Sequence, residues 1–283
     1  MRIGIFLNRN EHRFRISELL PILGNELIGY YSIVPEAKLS NYNYIPNPLE
    51  LLAGCDTVLV FSLEGLLFEI PRSAIRRGVN LFLVDLPLYP LSLLNELNTL
   101  AHEINAVVEF GFSGYDINRF APSGSAFKKP LFVDCKRDMA LETSFELIQR
   151  TAIYDLATMI RLQGGMVKKL RAASFPSSDS NYDLLNLRVE FANGSLFCYT
   201  LNRLAQNEAF SFSVFANQSK ELMDISLPVN PFSIDHKYED SPYSPVTFLN
   251  SLHQSYHPVF SLTQAIEVNT IYQNMIQKLA GNF

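Results

Sequence analysis

Several features that would assign the chain to a class of protein are absent from its 283 residues. It has no tryptophan and no run approaching 18 uninterrupted apolar residues, so no helix is expected to cross a membrane. It opens without the basic segment and apolar core of a secretory signal, which makes the cytoplasm the default prediction. The cysteines are far apart and lack metal-ligand spacing, so we expect reduced thiols at Cys55, Cys135 and Cys198.

Concentrated positive charge is also missing. The formal net charge is −5, and the densest basic clusters are residues 128–129 and 168–171. Nucleic-acid binding needs a positive footprint on one face, so we predict no such partner. The five histidines are scattered, and although His253 and His257 have the i, i+4 spacing of helical metal ligands, Pro258 ends such a helix. No metal site is predicted.

What the sequence does contain is enough apolar material for a large core. Hydrophobic residues make up 48% of the chain, which suits one large domain or two ordinary ones. Over residues 1–120, short apolar runs alternate with helical segments. This alternation predicts a Rossmann-like, doubly wound parallel sheet covered by helices. The predicted strands are residues 3–7, 26–34, 57–61, 80–84 and 106–110.

The pattern changes after a crossover at residues 111–130 that is rich in Gly, Ser and Pro. A long amphipathic helix with Leu141 and Met159 on one face is followed by strands without helices between them. Asn193-Gly194 is a strong hairpin signal. The predicted strands are residues 183–191, 196–203, 210–216 and 222–227, and a closing helix begins at a capping box, Ser261 with Gln264. Residues 121–283 therefore predict an α+β domain with an open, mainly antiparallel sheet.

An open sheet of this kind packs one face on helices and leaves the other to be covered. A second subunit often covers such a face, which predicts a homodimer through the open sheet. Aromatic side chains on the predicted strands supply apolar material for that face, or belong to the core. The sequence leaves both readings open for Phe197, Tyr199, Phe210, Phe212 and Phe215.

Several stretches, in order along nearly the whole chain, resemble one family of two-domain enzymes. The resemblance is to the glucose–fructose oxidoreductase and inositol dehydrogenase family (Gfo/Idh/MocA). It implies an NAD(P)-dependent oxidoreductase acting on a sugar-like or small carbonyl substrate. The stretches that carry it are LLAGCDTVLVFS, AIRRGVNLFLVDLP, IYDLATMIRLQGG, LRVEFANGSLFCYTL and HPVFSLTQAIEVNTIYQNMIQKL.

The chain departs from the family pattern where the cofactor should bind. The family's Gly-x-Gly-x-x-Gly turn lets backbone N–H groups approach the pyrophosphate. The matching positions are Leu7, Arg9 and His12, whose side chains would fill that space. The acidic residue expected on the ribose falls near Ser32.

The family's catalytic residues are also replaced. Its lysine matches Leu86, its histidine matches Tyr154, and its aspartate one helical turn earlier matches Arg150. Leucine cannot donate to a substrate hydroxyl, whereas Tyr154 could still transfer a proton. A free tyrosine ionises near pH 10, and Arg150 could serve as the nearby positive charge that lowers this value.

These replacements together predict a chain that has lost NAD(P) binding and hydride transfer. The alternative is an active NAD(P)-dependent oxidoreductase with Tyr154 as the acid. The crevice at the carboxyl ends of the strands stays the predicted ligand site. Its predicted lining is Asn8, Arg9, Asn10 and Ser62 at the cofactor positions, and Asp85, Pro87, Arg150 and Tyr154 in the ligand pocket.

Two non-enzymatic functions remain open for such a chain. In the first, it is a sensor or carrier of a small molecule, in which Arg9 and Arg150 grip a carboxylate or phosphate. In the second, it is a scaffold or regulatory subunit that pairs with itself or with an active homologue. The plain alternative for both arginines is a solvated or ion-paired surface residue.

Overall fold

The structure is a computed structural model. It describes residues 1–7, 13–33, 39, 41–61, 69–83, 89–111, 129–140, 143, 145–163, 166–176, 182–216, 219–227, 245–252 and 260–280. The chain divides into two compact units. The first comprises residues 1–113 and 233–266, and the second comprises residues 114–232 and 267–283.

The first unit contains a five-stranded sheet in which every strand pair is parallel. The strand order is β2-β1-β3-β4-β5, as expected for a doubly wound fold. This confirms the fold class predicted for the N-terminal part. The elements are β1 (Ile3–Leu7), α1 (Arg13–Leu23), β2 (Leu27–Ser32), α2 (Pro48–Gly54), β3 (Thr57–Val60), α3 (Glu69–Arg76), β4 (Asn80–Leu83), α4 (Leu91–Ile104) and β5 (Val108–Phe110).

Local sequence signals set where these helices begin and end. The Asn47 side chain accepts a hydrogen bond from the Leu49 amide and caps α2, while Pro48 fills the first helical position. Gly78, just after α3, has a φ of +71°, a conformation that L side chains rarely adopt. The α4 helix ends at Asn105, which is also left-handed, with a φ of +60°.

One face of the parallel sheet is covered by α1 and by a helix from late in the chain, α6 (Pro245–Ser251). The sequence analysis did not predict α6 and assigned these residues to the second domain. In the structure the Phe248 ring lies 5.1 Å from the Phe82 ring, which places α6 in the first core. The buried cluster comprises Ile3, Ile5, Leu7, Ile16, Leu19, Leu23, Tyr30, Leu59, Phe61, Phe82, Phe248 and Leu249.

On the opposite face, β1 packs closely against α2. A Cβ atom placed on Gly4 would lie 2.5 Å from the Cys55 sulfur and 3.2 Å from Leu51. Glycine at this position therefore allows the helix to approach the strand. Burial raises the pKa of the Cys55 thiol to about 12, and its sulfur donates to the Leu51 carbonyl.

The second unit contains a six-stranded mixed sheet with the order β11-β10-β6-β9-β8-β7. Of the described strand pairs in this second sheet, only β6–β9 is parallel. The predicted open and mainly antiparallel sheet is therefore confirmed. The elements are β6 (Leu131–Asp138), α5 (Phe145–Gln163), β7 (Val167–Pro176), β8 (Tyr182–Phe191), β9 (Leu196–Asn202), β10 (Ala209–Ala216) and β11 (Ser219–Leu227).

Two of these strands, β6 and β7, were not predicted. Strand β6 carries charged residues at four of its last five positions, and β7 carries three basic residues near its start. Both strands therefore lack the uniform apolar runs that identified the others. The predicted hairpin is confirmed, because β8 and β9 pair around Gly194, whose φ is +84°.

Side chains on this sheet alternate between a buried face and an open face. Four of the aromatics in question, Phe197, Tyr199, Phe210 and Phe212, lie on the buried face and belong to the core. Phe215 lies on the open face, 44% exposed, with its ring 5.5 Å from that of Phe132. Of these five aromatic side chains, Phe215 alone therefore contributes to the open face.

The chain closes with α7 (Leu262–Ala280). The Gln264 side chain accepts from the Ser261 amide, and the Ser261 hydroxyl accepts from the Gln264 amide at 3.4 Å. This reciprocal pair is the capping box predicted from the sequence. Among the residues that the structure describes, no helix combines the length and apolar character needed to cross a membrane.

The close contact at Gly4 predicts a steric penalty that depends on Cys55. Gly4→Ala should lower the free energy of unfolding by about 1–3 kcal/mol, because the added methyl overlaps the Cys55 sulfur. Cys55→Ala in the same chain should recover part of that loss, which urea denaturation would measure. Cys55→Ala alone is the matched control. Strictly additive effects of the two substitutions would contradict this account of the contact.

Candidate functional site

The strand order of the first unit places a topological switch point between β1 and β3. Chain connections leave β1 toward β2 on one side and reach β3 on the other. In open parallel sheets, ligands bind at the carboxyl ends of strands at such a point. Two large apolar side chains stand there among the described residues: Leu7 ends β1, and Phe61 follows β3.

Leu7 is the described residue that bears most directly on a cofactor. In the resemblance drawn from the sequence, it matches the first glycine of the dinucleotide-binding turn. The structure buries it to 1% exposure within the core cluster, together with Ile16 and Leu19 of α1. A glycine at this position would permit a tight turn and a close approach of the backbone to a pyrophosphate. Here the same position contributes a leucine side chain to the core.

Ser32 ends β2, and the sequence resemblance predicts the ribose-binding acid of the family near this position. Ser32 is paired in register with Leu7, and it is 5% exposed. A hydroxyl at this position carries no negative charge and has one oxygen, so it cannot accept charge-assisted hydrogen bonds from two ribose hydroxyls as a carboxylate does. The described end of β2 therefore lacks the acid of the dinucleotide pattern, and the end of β1 lacks its first glycine.

Most of the residues predicted to line the site lie outside the described residues. They are Asn8, Arg9 and Asn10, which follow β1 in the sequence, Ser62, which follows Phe61, and Asp85 and Pro87, which follow β4. His12 and Leu86, two of the replaced family positions, and the histidines His253 and His257 also lie outside the described residues, as does the side chain of Arg150. Their roles remain predictions.

The predicted acid, Tyr154, lies near the middle of α5. Its side chain is buried, and its carbonyl accepts a hydrogen bond from the Thr158 hydroxyl at 2.9 Å. Tyr154 is 1% exposed, so its side chain has almost no contact with bulk water. As an acid it would have to act on a group that is buried beside it. Its catalytic role stays a prediction.

Asp155, the next residue, anchors a buried ion pair that the sequence analysis did not assign. Its carboxylate accepts from Arg137 Nε at 3.1 Å and from Arg137 Nη2 at 2.5 Å. It also accepts from the Tyr199 hydroxyl at 3.0 Å. Asp155 and Arg137 are each at most 2% exposed. Three hydrogen bonds from β6 and β9 thus converge on one carboxylate of α5.

Arg137 has a further contact that offsets its removal from water. Its guanidinium carbon lies 3.9 Å from the centre of the Phe210 ring, and Phe210 is its cross-strand partner on β10. A signal for this cluster exists in the sequence. Arg137 follows Leu131, Val133 and Cys135 at the alternating inward positions of β6, so it required a buried partner.

The network changes the acidity of its neighbours. Burial raises the pKa of Tyr199 well above its usual range, and the Asp155 carboxylate acts in the same direction. Burial also raises the pKa of the Cys135 thiol, with Asp155 again contributing. Both groups therefore stay protonated in the folded protein, and Tyr199 acts as a hydrogen-bond donor rather than as a base.

Metal ligands and reactive thiols are the remaining candidates for a site in the described part of the chain. No group of three or more His, Cys, Asp or Glu side chains there could hold a metal ion. The cysteines are all free, with Cys55 and Cys135 buried and Cys198 half-buried on the open face. Buried thiols with raised pKa values are poor nucleophiles.

Comparison with known proteins identifies the fold. The sequence matches no protein-family model and no curated protein. The structure matches UDP-N-acetylglucosamine 3-dehydrogenase GnnA from Acidithiobacillus ferrooxidans with a TM-score of 0.78 at 16% identity, covering 99% of this chain and 98% of that one. The dehydrogenase MviM from Clostridium difficile matches with a TM-score of 0.75 at 13% identity, covering 99% and 100%.

A third match is GenD2 from gentamicin A biosynthesis, solved in complex with NAD. Its TM-score is 0.70 at 14% identity, and the match covers 100% of this chain and 95% of that one. The chain has the fold of the Gfo/Idh/MocA dehydrogenases. This confirms the resemblance drawn from the sequence at the level of fold. Identities of 13–16% do not carry an activity from the neighbours to this chain.

The raised pKa of Tyr199 predicts a loss of stability at alkaline pH. Unfolded tyrosine ionises near pH 10, whereas the folded phenol keeps its proton to higher pH. The stabilisation is complete below about pH 10 and is lost above it, by about 1.4 kcal/mol per pH unit. Tyr199→Phe should flatten this fall in urea denaturation. The exposed Tyr44→Phe is the control, and a Tyr199→Phe slope equal to that of the parent would contradict the assignment.

Proposed function

We propose that this chain is an oxidoreductase-fold protein that has lost NAD(P) binding and hydride transfer, and that acts as a ligand-binding or regulatory protein. The observation that carries the proposal is the burial of Leu7 in the core at the position of the first glycine. Ser32 at the ribose position supports it. Both residues lie at the carboxyl edge of the first sheet, where a dinucleotide would bind.

The ligand proposed in place of a dinucleotide is a small anion. Arg9 carries the positive charge that the sequence places after β1, and Arg150 lies on α5. Guanidinium groups bind carboxylates and phosphates through paired hydrogen bonds. Mass spectrometry of small molecules that co-purify with the chain would identify the ligand. Its retention by Arg150→Ala at unchanged affinity would contradict the role of Arg150.

Calorimetric titration tests the loss of the cofactor. NAD⁺, NADH, NADP⁺ and NADPH should each give no binding in the low-micromolar range. Ser32→Asp, which restores an acid at the end of β2, should also give none, because the side chain of Leu7 remains. Low-micromolar binding of any of the four to the parent chain would show the proposal to be wrong.

A second candidate is an active oxidoreductase with a different mode of cofactor binding. The observation in its favour is that the structural neighbours are dehydrogenases, of which GenD2 was solved with NAD. In this case Tyr154 is the acid and Arg150 its electrostatic partner. Tyr154→Phe should then lower kcat by about 10²-fold or more while the chain still binds the nucleotide. Unchanged turnover in this variant would remove Tyr154 from the mechanism.

We infer that the open face of the six-stranded sheet pairs with a second copy of this chain. Four apolar side chains on this face are at least 38% exposed: Phe132, Phe175, Leu184 and Phe215. Strand register also aligns a row of residues across the sheet, acidic toward one edge and basic toward the other. The row reads Asp224, Ser213, Asp134, Cys198, Arg188 and Arg171.

This charge pattern fits a two-fold axis that runs along the strands between β6 and β9. Such an axis places β7 of one copy over β11 of the other, so that the register position of Arg171 lies over that of Asp224. It also places Phe132 of β6 over Leu196 of β9, because these two residues are register partners. Two contacts of each kind follow from the symmetry.

Light scattering coupled to size-exclusion chromatography tests this pairing. The parent chain should elute with the mass of a dimer. Arg171→Glu should raise the dimer dissociation constant about tenfold or more, because it sets like charges against each other. Lys168→Glu is the matched control, since Lys168 lies in the irregular pairing at the start of β7 and outside the row. A strictly monomeric parent would contradict the inference.

A further inference from the structure

The centre of α5 is buried on every side. All ten residues from 151 to 160 are buried, and they span nearly three helical turns. Polar residues share this burial: Thr151, Asp155 and Thr158 are each at most 3% exposed. Most helices of globular proteins bury one stripe and leave the opposite side in water. This segment has no side in water.

Complete burial removes the usual cause of a fixed helix rotation. When an amphipathic helix turns about its axis, apolar side chains become exposed to water, and the hydrophobic effect opposes the turn. Turning α5 exposes no apolar surface of its buried segment. The rotation must therefore be fixed by packing shape and by polar contacts.

Asp155 supplies a polar contact that only one rotation satisfies. Its carboxylate accepts both hydrogen bonds of the Arg137 fork and one from Tyr199. Any other rotation would leave a carboxylate and a guanidinium buried without each other, which is far more costly than a shifted apolar contact. Arg137 is itself held, because its guanidinium lies over the Phe210 ring.

We propose that the cluster of Arg137, Asp155 and Tyr199 sets the rotation of α5 and thereby fixes the direction of Tyr154. Tyr154 is the adjacent residue, so it points about 100° around the helix from Asp155. Asp155 is thus a positioning residue for Tyr154. This role is independent of whether the chain binds a nicotinamide nucleotide.

The role in rotation differs from a role in stability. Replacement of a buried ion pair by apolar residues of similar size is often neutral or stabilising. A buried polar group can nevertheless select one arrangement among several, as a single asparagine does in coiled coils. The triple variant Arg137→Met, Asp155→Leu, Tyr199→Phe should therefore still unfold cooperatively. Its α5 helix should no longer adopt a single rotation about its axis.

Fluorine NMR of 3-fluorotyrosine, placed at residue 154 by amber suppression, reports whether α5 adopts one rotation or several. The parent chain should give one narrow resonance, and the triple variant should give several resonances or one broadened resonance. Arg137→Lys is the conservative variant, because it keeps the charge but loses the two-pronged hydrogen bond. It should also broaden the resonance. Tyr199→Phe alone keeps the ion pair and should leave one narrow resonance.

Three results would overturn the proposal. A triple variant with the single narrow resonance of the parent would show that apolar packing alone fixes the rotation. A triple variant that does not fold cooperatively would show that the cluster supplies stability instead. A narrow, unshifted resonance in Arg137→Lys would show that the fork geometry is not needed.

Discussion

The second unit is organised around the need to pair one buried carboxylate. Asp155 lies in the segment of α5, residues 151–160, in which every residue is buried, and an unpaired charge there would be very costly. Two inward-facing side chains of the sheet, Arg137 and Tyr199, meet it, and the Phe210 ring supports the arginine. Strands β6, β9 and β10 are thereby tied to α5 at one point. Burial, with the Asp155 carboxylate acting in the same direction, keeps Tyr199 protonated, and the placement of Tyr154 follows from the same cluster.

In the first unit the corresponding constraint is apolar. The ends of β1 and β3 at the switch point carry Leu7 and Phe61, both part of the core. A dinucleotide-binding fold keeps glycine and backbone N–H groups at the end of β1. Strand β1 does contain a glycine, Gly4, but its missing side chain leaves room for the sulfur of Cys55, the residue that follows α2, and not for a ligand. The close approach that Gly4 permits therefore serves the packing of α2 against β1.

The sequence predicted the elements that local chemistry specifies. The cap at Asn47, the hairpin at Gly194 and the capping box at Ser261 each depend on residues within a few positions of one another. Strand β6 was missed because it depends on distant partners, pairing with β9 and β10 and holding Arg137 against Asp155. Strand β7 pairs with the next strand in the sequence and was missed because basic residues interrupt its start. Helix α6 was missed for a similar reason, since its burial depends on the first sheet. The departures from the dinucleotide pattern at Leu7 and Ser32 could be read from the sequence because that pattern is local, and their functional meaning stays a prediction.

We propose that this fold no longer holds a dinucleotide at the end of β1, where the Leu7 side chain is part of the core. Native mass spectrometry of the freshly purified protein, sprayed from a solution containing NADH and NADPH, tests it most directly. We expect the mass of a dimer without a bound nicotinamide nucleotide. A complex that carries one nucleotide per chain and withstands removal of the free nucleotide would contradict it.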